Sequence, residues 1–320
     1  MSRSLFAGLI CLGLVAGAAQ AQSDYPNRTV KIVVPSTPGG GSDTFARLVA
    51  QHLSEAFGQQ FYIDNRPGGG TIIGMEAAAH SDPDGYTLYL APSTITLLPL
   101  VKKKLSVTLA NFEPISLAAI LPYGLVVNPS TKANNVQQFI ALAKAEPGKL
   151  TYGSPGIGTG PQMAMQLFLN LSGTDLLHIP YKGVANVVTD IIAGRISAMM
   201  LNLLTAKPHI EAGKLRALGV TSAKRADSME KVPTIAEQGL KGYEALQWFA
   251  FFAPKGTPKA IVDKIQQQMA KGLKSPKIKQ QLALQGAEPG GNTPAEFAAF
   301  LKAESDKWAA VAKAAKIEPQ

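Results

Sequence analysis

Three glycine-rich segments, each lying between a strand pattern and a helical pattern, constrain the fold of this chain more than any other feature. The β-branched run TVKIVVP, residues 29–35, is typical of a buried parallel strand and leads into STPGGGSD, residues 36–43. Similar strand patterns lead into RPGGGT, residues 66–71, and SPGIGTG, residues 154–160. Strands and helices that alternate in this order predict an α/β fold with doubly wound parallel sheets.

Two further strand-rich segments indicate that the chain passes twice between two lobes. Residues 114–128 and 243–253 each leave one group of α/β units and enter the other. The helical pattern at 258–316 then predicts that the end of the chain packs on the first lobe. The predicted division is a discontinuous first lobe at 22–124 plus 250–320 and a second lobe at 125–249.

The glycine-rich loops predict a binding site for a negatively charged group. A helix N-terminus presents unpaired backbone N–H groups and a partial positive charge, and glycine lets the backbone approach a ligand closely. Ser42, Thr71 and Thr159 place hydroxyl donors beside those amides. Glycines at strand ends can also serve only to make tight turns. Because three such loops occur in one α/β chain, we expect them to converge on a shared crevice that holds a carboxylate.

Four polar residues at strand or helix ends are further candidates, each with a structural alternative. Asp43 is placed to cap the first helix or to meet a ligand, although its carboxylate would repel an anion. Asn202 ends a buried strand pattern and can turn its amide into the crevice or serve only the turn. Tyr181 and Lys182 end another strand, and Lys182 can pair with a distal carboxylate or lie in solvent. Candidates for either the crevice wall or the core are Trp248 and Phe249, in the second crossing.

The sequence lacks the motifs of common nucleotide, metal and catalytic sites. No lysine follows the glycines as a phosphate-binding P-loop requires, and residues 156–160 lack the spacing of a dinucleotide-binding loop. The four histidines are far apart in the sequence and none stands in a zinc-binding motif. Residues 153–156 do not have the GxSxG spacing of a hydrolase elbow. We therefore predict no enzyme, no metal and no cofactor.

The first residues predict export. Arg3 precedes an apolar stretch at 5–18, and Ala19-Gln20-Ala21 matches the small-x-small pattern that signal peptidase cuts. An uncleaved anchor is the alternative, but the stretch is too short for a comfortable membrane span. We predict that a signal peptide, residues 1–21, is removed near Ala21 and that the protein is periplasmic. Because Cys11 is the only cysteine, the mature chain would contain no disulfide.

The chain is basic without the pattern of a nucleic-acid-binding protein. Its 31 Lys and Arg residues against 22 Asp and Glu residues give a net charge of +9, which removal of Arg3 lowers by one. The lysines are scattered, and the only dense run, residues 102–104, has no interleaved aromatic residue. We predict no nucleic-acid partner, and a basic surface that steers small anions toward the crevice. Since no heptad or other dimerising stripe is present, we also predict a monomer.

Nine segments in a fixed order carry a family resemblance that covers essentially the whole chain. They are the signal peptide and then YPNRTVKIVVPSTPGGGSDTFAR, IDNRPGGGTIIG, DPDGYTL, YGSPGIGTGPQMAMQLF, IPYKG, KPHIEAGKLRALGVTSAKR, VPTIAEQGL and WFAFFAPKGTP. In this order they resemble the Bug family of periplasmic receptors, the extracytoplasmic component of tripartite tricarboxylate transporters. The resemblance implies a type II periplasmic-binding-protein fold, in which two doubly wound α/β lobes are joined by two crossing strands and close on a ligand.

The resemblance also implies which loops bind the ligand, an organic acid with one carboxylate held by main-chain amides and bridging waters. Residues 38–43 match the first-lobe loop of the family, Gly70 and Thr71 match the second loop, and Ser93 and Thr94 follow the strand beside the pocket. Residues 199–203 depart from the family, which often carries an aspartate or a small polar residue there. The complete predicted ligand-binding set is Thr37, Pro38, Gly39, Gly40, Ser42, Asp43, Gly70, Thr71, Ser93, Thr94, Ser154, Gly158, Thr159, Tyr181, Lys182 and Asn202.

These patterns predict a receptor that captures a small organic carboxylate between two lobes for the membrane permease of a tripartite transporter. A di- or tricarboxylate, an amino acid and an aromatic acid all fit the prediction, and the apolar Ile157 and the ring of Trp248 are compatible with the last. One alternative is a ligand-dependent partner of a sensor kinase with no transport role. The other is an exported hydrolase or lyase.

Overall fold

Strands and helices alternate along most of the chain. The computed structural model describes residues 24–39, 41–181, 183–284, 286–314 and 317–319, so the predicted signal peptide lies outside the described residues. The helices are α1 Gly41–Phe57, α2 Ile72–Ala79, α3 Thr94–Val101, α4 Val136–Ala145, α5 Gly160–Ser172, α6 Val184–Ile192, α7 Leu203–Glu211, α8 Lys259–Lys274, α9 Pro276–Leu284 and α10 Pro294–Ala314. The strands are β1 Val30–Val34, β2 Phe61–Asn65, β3 Thr87–Pro92, β4 Phe112–Val127, β5 Thr151–Ser154, β6 Leu177–Pro180, β7 Ala198–Asn202, β8 Arg216–Val220, β9 Leu246–Pro254 and β10 Glu288–Pro289.

The first group of strands is parallel, as the sequence predicts. Strand β1 lies between β2 and β3 and runs parallel to both. Ile32, at its centre, is aligned with Ile63 of β2 and Leu88 of β3. Because helices cover both faces of this sheet, β1 is almost entirely apolar and buried, and alternation with polar residues is lost.

The second group repeats this arrangement. Strand β5 lies between β6 and β7 and runs parallel to both. Val187 and Ile191 of helix α6 pack under Met199 of β7 on one face of these strands. Phe139 of α4 and Phe168 of α5 pack in the core on the opposite face of these strands. The two groups therefore have separate apolar cores.

Strands β4 and β9 are the two crossings and join the groups into one sheet. The strand order is β2-β1-β3-β9-β4-β7-β5-β6, with β8 and β10 also paired to β4. Strand β4 pairs antiparallel with β9 from Phe112 to Pro122, and from Tyr123 onward it pairs with β7 and β8. The chain thus changes partners at Pro122 and Tyr123, where the two groups meet. The proposed lobe boundaries at 124 and 249 fall inside these two strands.

Helix α10 contacts both groups, which differs from the expectation that the end of the chain packs on the first lobe. Phe297 and Leu301, in its first half, pack in a core with Phe252 of β9. Trp308 and Val311, in its second half, belong to the apolar core of the second group. A 21-residue helix is about 30 Å long, so one straight helix can span both cores.

Two helices depart from the sequence prediction. Helix α3 was not predicted, because its sequence TITLLPLV is rich in β-branched residues and resembles a strand. Helix α7 begins at Leu203, whereas the sequence pattern indicates only a helical turn at 208–212. Within the described ranges no helix has the length and apolar character needed to cross a membrane.

Candidate functional site

Two adjoining cavities form one cleft between the two groups of strands. The larger has a volume of about 780 Å3 and is lined by Thr71 and Ser93 of the first group and Thr159 of the second; we call it the main chamber. The second has a volume of about 730 Å3 and is bordered by Asn186 of α6 and His209 of α7; we call it the side chamber. The residues that line both chambers are Ser36, Thr37, Ser42, Gly183, Val184, Asn202 and Gln247.

Six helices begin at this cleft. They are α1, α2, α3, α5, α6 and α7, and the residues at their starts that line the cleft are Ser42, Thr71, Ser93, Thr159, Gly183 and Asn202. At the starts of α2, α3, α5 and α6 no backbone N–H donates a hydrogen bond to the side chain of the capping residue. Their first backbone N–H groups and the positive ends of their dipoles therefore face a common space, which favours a negative charge there.

Three buried hydroxyl groups of the main chamber have no hydrogen-bond partner among the described residues. They belong to Ser36, Thr71 and Tyr123, and all three residues line the chamber. A buried hydroxyl without a partner costs about 1–3 kcal/mol of stability. Such a cost is typical of a binding site, where a ligand or water supplies the missing partner.

The charge of the cleft suits an anion. Among the described residues that line the two chambers, none is an Asp or a Glu. Lys102, just after the end of α3, reaches the main chamber, and His209 borders the side chamber. With no carboxylate in the lining to repel it, an acid can lie close to the helix starts.

Thr71 has a backbone conformation that a β-branched residue rarely adopts. Its φ is 90° and its ψ is −9°, directly after Gly70 at φ 65°. Such a conformation costs on the order of 1–3 kcal/mol, and residues of this kind concentrate at ligand sites. The strained turn places Thr71 in the lining of the main chamber, at the start of α2, where its buried hydroxyl lies near that of Tyr89.

Asp43 supports the first glycine-rich loop and lines neither chamber. Its carboxylate accepts hydrogen bonds from Gly39 N–H at 2.9 Å, from the Arg47 guanidinium at 2.9 and 3.0 Å and from the Asn65 amide at 3.0 Å. Burial alone would raise the pKa of Asp43, but these hydrogen bonds outweigh it and hold the pKa below its usual value. The contacts of Asp43 are thus those of a residue that supports the helix start, and a contact with ligand stays a prediction.

Ser154 and Gly158 shape the loop of the second group and do not line the cleft. The Ser154 hydroxyl is fully buried, donates to Gly156 O at 3.0 Å and lies 2.7 Å from Nε2 of His178. Gly158 has φ +78°, and a side chain there would collide with Val101 of α3. The family resemblance predicts that both residues contact the ligand. In the structure their described contacts are to protein atoms, and neighbouring loop residues such as Ile157 line the chamber.

Tyr181 and Asn202 line the main chamber, but protein partners occupy their polar atoms. The Tyr181 hydroxyl donates to Asp190 Oδ2 at 2.7 Å. The side-chain oxygen of Asn202 caps helix α7 by accepting a hydrogen bond from Thr205 N–H at 2.9 Å. Asn202 therefore serves the turn, as one of the two interpretations expected, and also lines the cleft. Gly40 and Lys182, two further residues of the predicted set, lie outside the described residues.

Most of the predicted set lies together at the cleft. Asp43, Ser154 and Gly158 are the described members that do not line it. Those that do are Thr37, Pro38, Gly39, Ser42, Gly70, Thr71, Ser93, Thr94, Thr159, Tyr181 and Asn202.

Sequence reasoning missed Ser36, Lys102, Tyr123 and Gln247, all of which line the main chamber. Gln247 is a polar residue in an otherwise apolar crossing strand, and that break in the pattern is a signal for a cleft residue. Tyr123 gave no such signal, because a tyrosine in an apolar strand looks the same whether its hydroxyl meets protein or ligand.

The two aromatic candidates of the second crossing divide between core and cleft. Trp248 is fully buried, packs edge-on against Phe297 and donates its indole N–H to Glu304, so it belongs to the core. Phe249 stacks on Phe45 and its edge lines the side chamber. Neighbouring residues of a strand point to opposite faces, which accounts for the difference.

No metal or catalytic cluster accompanies this cleft in the part of the chain that the structure describes. No group of three or more His, Cys, Asp or Glu side chains there is arranged to hold a metal ion. Ser154 is fully buried, His178 is partly exposed, and neither is among the residues that line the two chambers.

Comparison with known proteins assigns this chain to a family of receptors. The family model described as the tripartite tricarboxylate transporter family receptor matches residues 45–317. Protein BugT of Bordetella pertussis is 34% identical over 320 residues, which cover 98% of this chain and 97% of BugT. The solved structure of R. palustris Rpa4515 with adipate superposes with a TM-score of 0.88 at 38% identity, covering 92% of this chain and all of that one. MatC of Rhodopseudomonas palustris with bound malate has a TM-score of 0.80 at 26% identity, covering 90% of this chain and all of MatC. The predicted periplasmic-binding fold is thereby confirmed.

Proposed function

Because the chain belongs to the family of tripartite tricarboxylate transporter receptors, we propose that it captures a small organic carboxylate in the cleft and delivers it to the membrane permease of such a transporter. The family consists of solute-binding receptors and not of enzymes, so no chemical step is required of the cleft. Its members are periplasmic binding proteins, which implies export. For this chain we propose cleavage near Ala21 and action as a monomer.

One observation carries the choice of a carboxylate: six helix starts and three unpartnered hydroxyls surround a space whose described lining contains no acidic side chain. Backbone N–H groups and hydroxyls can all donate to carboxylate oxygens. A cationic or strongly apolar ligand would leave these donors unsatisfied, at a cost for each.

The two relatives solved with ligands support a ligand with two carboxylates. Adipate and malate each carry a carboxylate at both ends of a short carbon chain. The cleft of this protein has helix starts in both chambers: those of α2, α3 and α5 at the main chamber, and those of α6 and α7 at the side chamber. We propose that one carboxylate lies in the main chamber, and that the residues bordering both chambers contact the rest of the ligand.

Capture would involve closure of the lobes about strands β4 and β9. We propose lobes at 22–124 with 250–320 and at 125–249, with the second half of α10 attached to the second lobe through Trp308. A ligand that contacts helix starts in both lobes stabilises the closed conformation over the open one, and a membrane partner can recognise that difference.

The test is a binding screen with the purified mature protein. Linear dicarboxylates of three to eight carbons, malate, citrate, glutamate and benzoate are added singly, and unfolding temperature and calorimetric heat are measured. The matched controls are the diamides of the same dicarboxylates, which have the same length and no charge. We expect at least one acid to raise the unfolding temperature and to bind with a measurable dissociation constant, and its diamide to do neither. If no acid binds, or acid and diamide bind equally, the carboxylate proposal is wrong.

The delivery step needs a separate experiment. Cells that lack this protein are tested for uptake of the identified acid, with and without the chain restored. Restored uptake supports the transport role. Unchanged uptake together with a ligand-dependent change in gene expression would instead favour the sensor role.

A further inference from the structure

Tyr123 places a buried phenol at the point where the two groups of strands meet. It is the residue at which β4 leaves β9 and begins to pair with β7, opposite Asn202. Its side chain is 2% exposed, and its hydroxyl has no hydrogen-bond partner among the described residues. The residue also lines the main chamber.

The phenol oxygen lies between two helix starts that come from opposite groups. A side chain at Gly160, the first residue of α5, would collide with this oxygen and would lie 3.5 Å from Oγ of Ser93, at the start of α3. Ser93 is therefore close enough to the phenol to oppose the rise in its pKa, although no hydrogen bond of ordinary geometry joins the two hydroxyls. The unpartnered O–H and the first N–H groups of two helices thus share one corner of the chamber.

The phenol cannot move away to find water elsewhere. Its backbone N–H donates to Thr221 Oγ1 at 2.7 Å, and its strand is held on both sides. Its ring is packed in the core of the second group, near Tyr243 and Leu97. Burial raises the pKa of Tyr123, so at neutral pH the group is a hydrogen-bond donor and not an anion.

We propose that Tyr123 donates a hydrogen bond to a carboxylate oxygen of the ligand, seated between the starts of α3 and α5, and so determines which acids the protein binds. This inference rests on the proposed function and names one residue that selects the substrate. An acid that places its carboxylate in this corner satisfies the phenol and both helix starts. One that places a methyl or methylene group there leaves the buried hydroxyl unpaired, and sites of that kind discriminate strongly against such ligands.

The test compares two tyrosine-to-phenylalanine variants that should behave in opposite ways. Tyr123→Phe removes an unpartnered hydroxyl, so its unfolding temperature without ligand should be equal to or above that of the natural chain. Its affinity for the tightest-binding acid of the screen should fall by about 10- to 100-fold, the loss of a hydrogen bond to a charged group. Tyr243 is equally buried, but its hydroxyl donates to Ala164 O at 2.9 Å and the residue does not line the cleft. Tyr243→Phe should therefore lower the unfolding temperature and leave the affinity within about twofold.

The outcomes separate this inference from the proposed function. If the natural chain binds an acid and Tyr123→Phe binds it equally well, Tyr123 is not a ligand donor, while the receptor function stands. If Tyr123→Phe lowers the unfolding temperature as much as Tyr243→Phe does, and also lowers the affinity, the Tyr123 hydroxyl has a structural role and the inference is wrong. If the natural chain binds none of the acids, both the proposed function and this inference fail.

Discussion

The indole N–H of Trp248 donates a hydrogen bond of 3.1 Å to Oε2 of Glu304, which joins the crossing strand β9 to the C-terminal helix. The same carboxylate oxygen accepts a second bond of 3.1 Å from the indole of Trp308, and Lys307 pairs with the other oxygen. One buried carboxylate thus holds together a strand that passes between the lobes and a helix that contacts both. Such a charge is stable in the interior only because every oxygen has partners.

We expect Glu304→Gln to lower the free energy of unfolding by about 1–3 kcal/mol, because an amide replaces a charged acceptor shared by two buried donors. Urea unfolding measures the change, and tryptophan emission is a direct probe since the chain has two tryptophans and both contact Glu304. Asp306→Asn on the same helix is the control: its pair with Lys302 is exposed and its loss should cost less than about 0.5 kcal/mol. Equal effects of the two variants would contradict the role given to Glu304.

The pH dependence of stability should show the contribution of Asp43. Its pKa in the folded protein lies below the usual value. Its stabilisation is therefore fully present above the pKa of the unfolded chain and is lost as the pH falls through the lower, folded-state pKa. We expect unfolding temperatures of the natural chain to fall more steeply below pH 4 than those of Asp43→Asn, and the two to differ most at neutral pH. Parallel acid profiles of the two proteins would show that Asp43 contributes nothing through its charge.

Gly158→Ala tests the close packing of the glycine-rich loop 154–160 against helix α3. The new methyl group would meet Val101, and the residue would also have to keep a φ of +78°. Gly173 is the control for backbone strain, because its φ is +61° and a side chain there would meet nothing within 4 Å. Gly173→Ala should lower the free energy of unfolding by about 1 kcal/mol. We expect Gly158→Ala to cost about 1–3 kcal/mol more than that, from overpacking.

A second substitution distinguishes overpacking from other causes. Val101→Ala makes room for the new methyl group, so the double variant should recover most of the excess cost of Gly158→Ala, as a double-mutant cycle by denaturant unfolding would show. Additive effects in the cycle would mean that the two residues do not interact.

Thr71→Gly should raise the stability of the protein and weaken its binding of the ligand. Glycine adopts a φ of 90° without strain, so the unfolding free energy should rise by about 1 kcal/mol. The missing hydroxyl should weaken binding of the identified acid at least about 10-fold, the loss of a hydrogen bond to a charged group. Thr71→Ser keeps the hydroxyl and serves as the control for affinity by calorimetry. Unchanged affinity in the glycine variant would remove Thr71 from the ligand site.

Lys102 should act on the rate of capture. It reaches the main chamber, whereas Lys103, which is also exposed, does not line it. We expect Lys102→Gln to slow association of the acid about twofold at low ionic strength and to have little effect at 0.5 M salt, because screening removes long-range attraction. Lys103→Gln should change the rate less, as stopped-flow measurements can show. A loss that persists in high salt would instead identify Lys102 as a direct, buried contact.

The alternation of strands, glycine-rich loops and helices was sufficient to determine the α/β class and the approach of the loops to one crevice. The physical reason is local: a parallel strand must be followed by a crossover, and its carboxyl end must open toward the next helix start. For the same reason most of the predicted site residues, such as Thr71, Ser93 and Thr159, do line the cleft. The strand-rich segments 114–128 and 243–253 predicted the two crossings, and the family resemblance added the expectation that the lobes close on a ligand.

Contacts between residues distant in sequence decided the rest. Asp43, Ser154 and Gly158 lie in the predicted loops. Asn65 and His178 engage the first two and Val101 stands against the third, and spacing along the chain does not reveal such partners.

Tyr123 is a cleft residue that the sequence alone did not reveal. Its apolar strand gave no sign of a site, and only the meeting of β4 with Ser93 and Gly160 left its hydroxyl in the chamber without a partner. A sequence determines where donors stand along the chain. Which of them remain unpaired depends on the packing of elements that are far apart in the sequence, and that is decided only in the folded molecule.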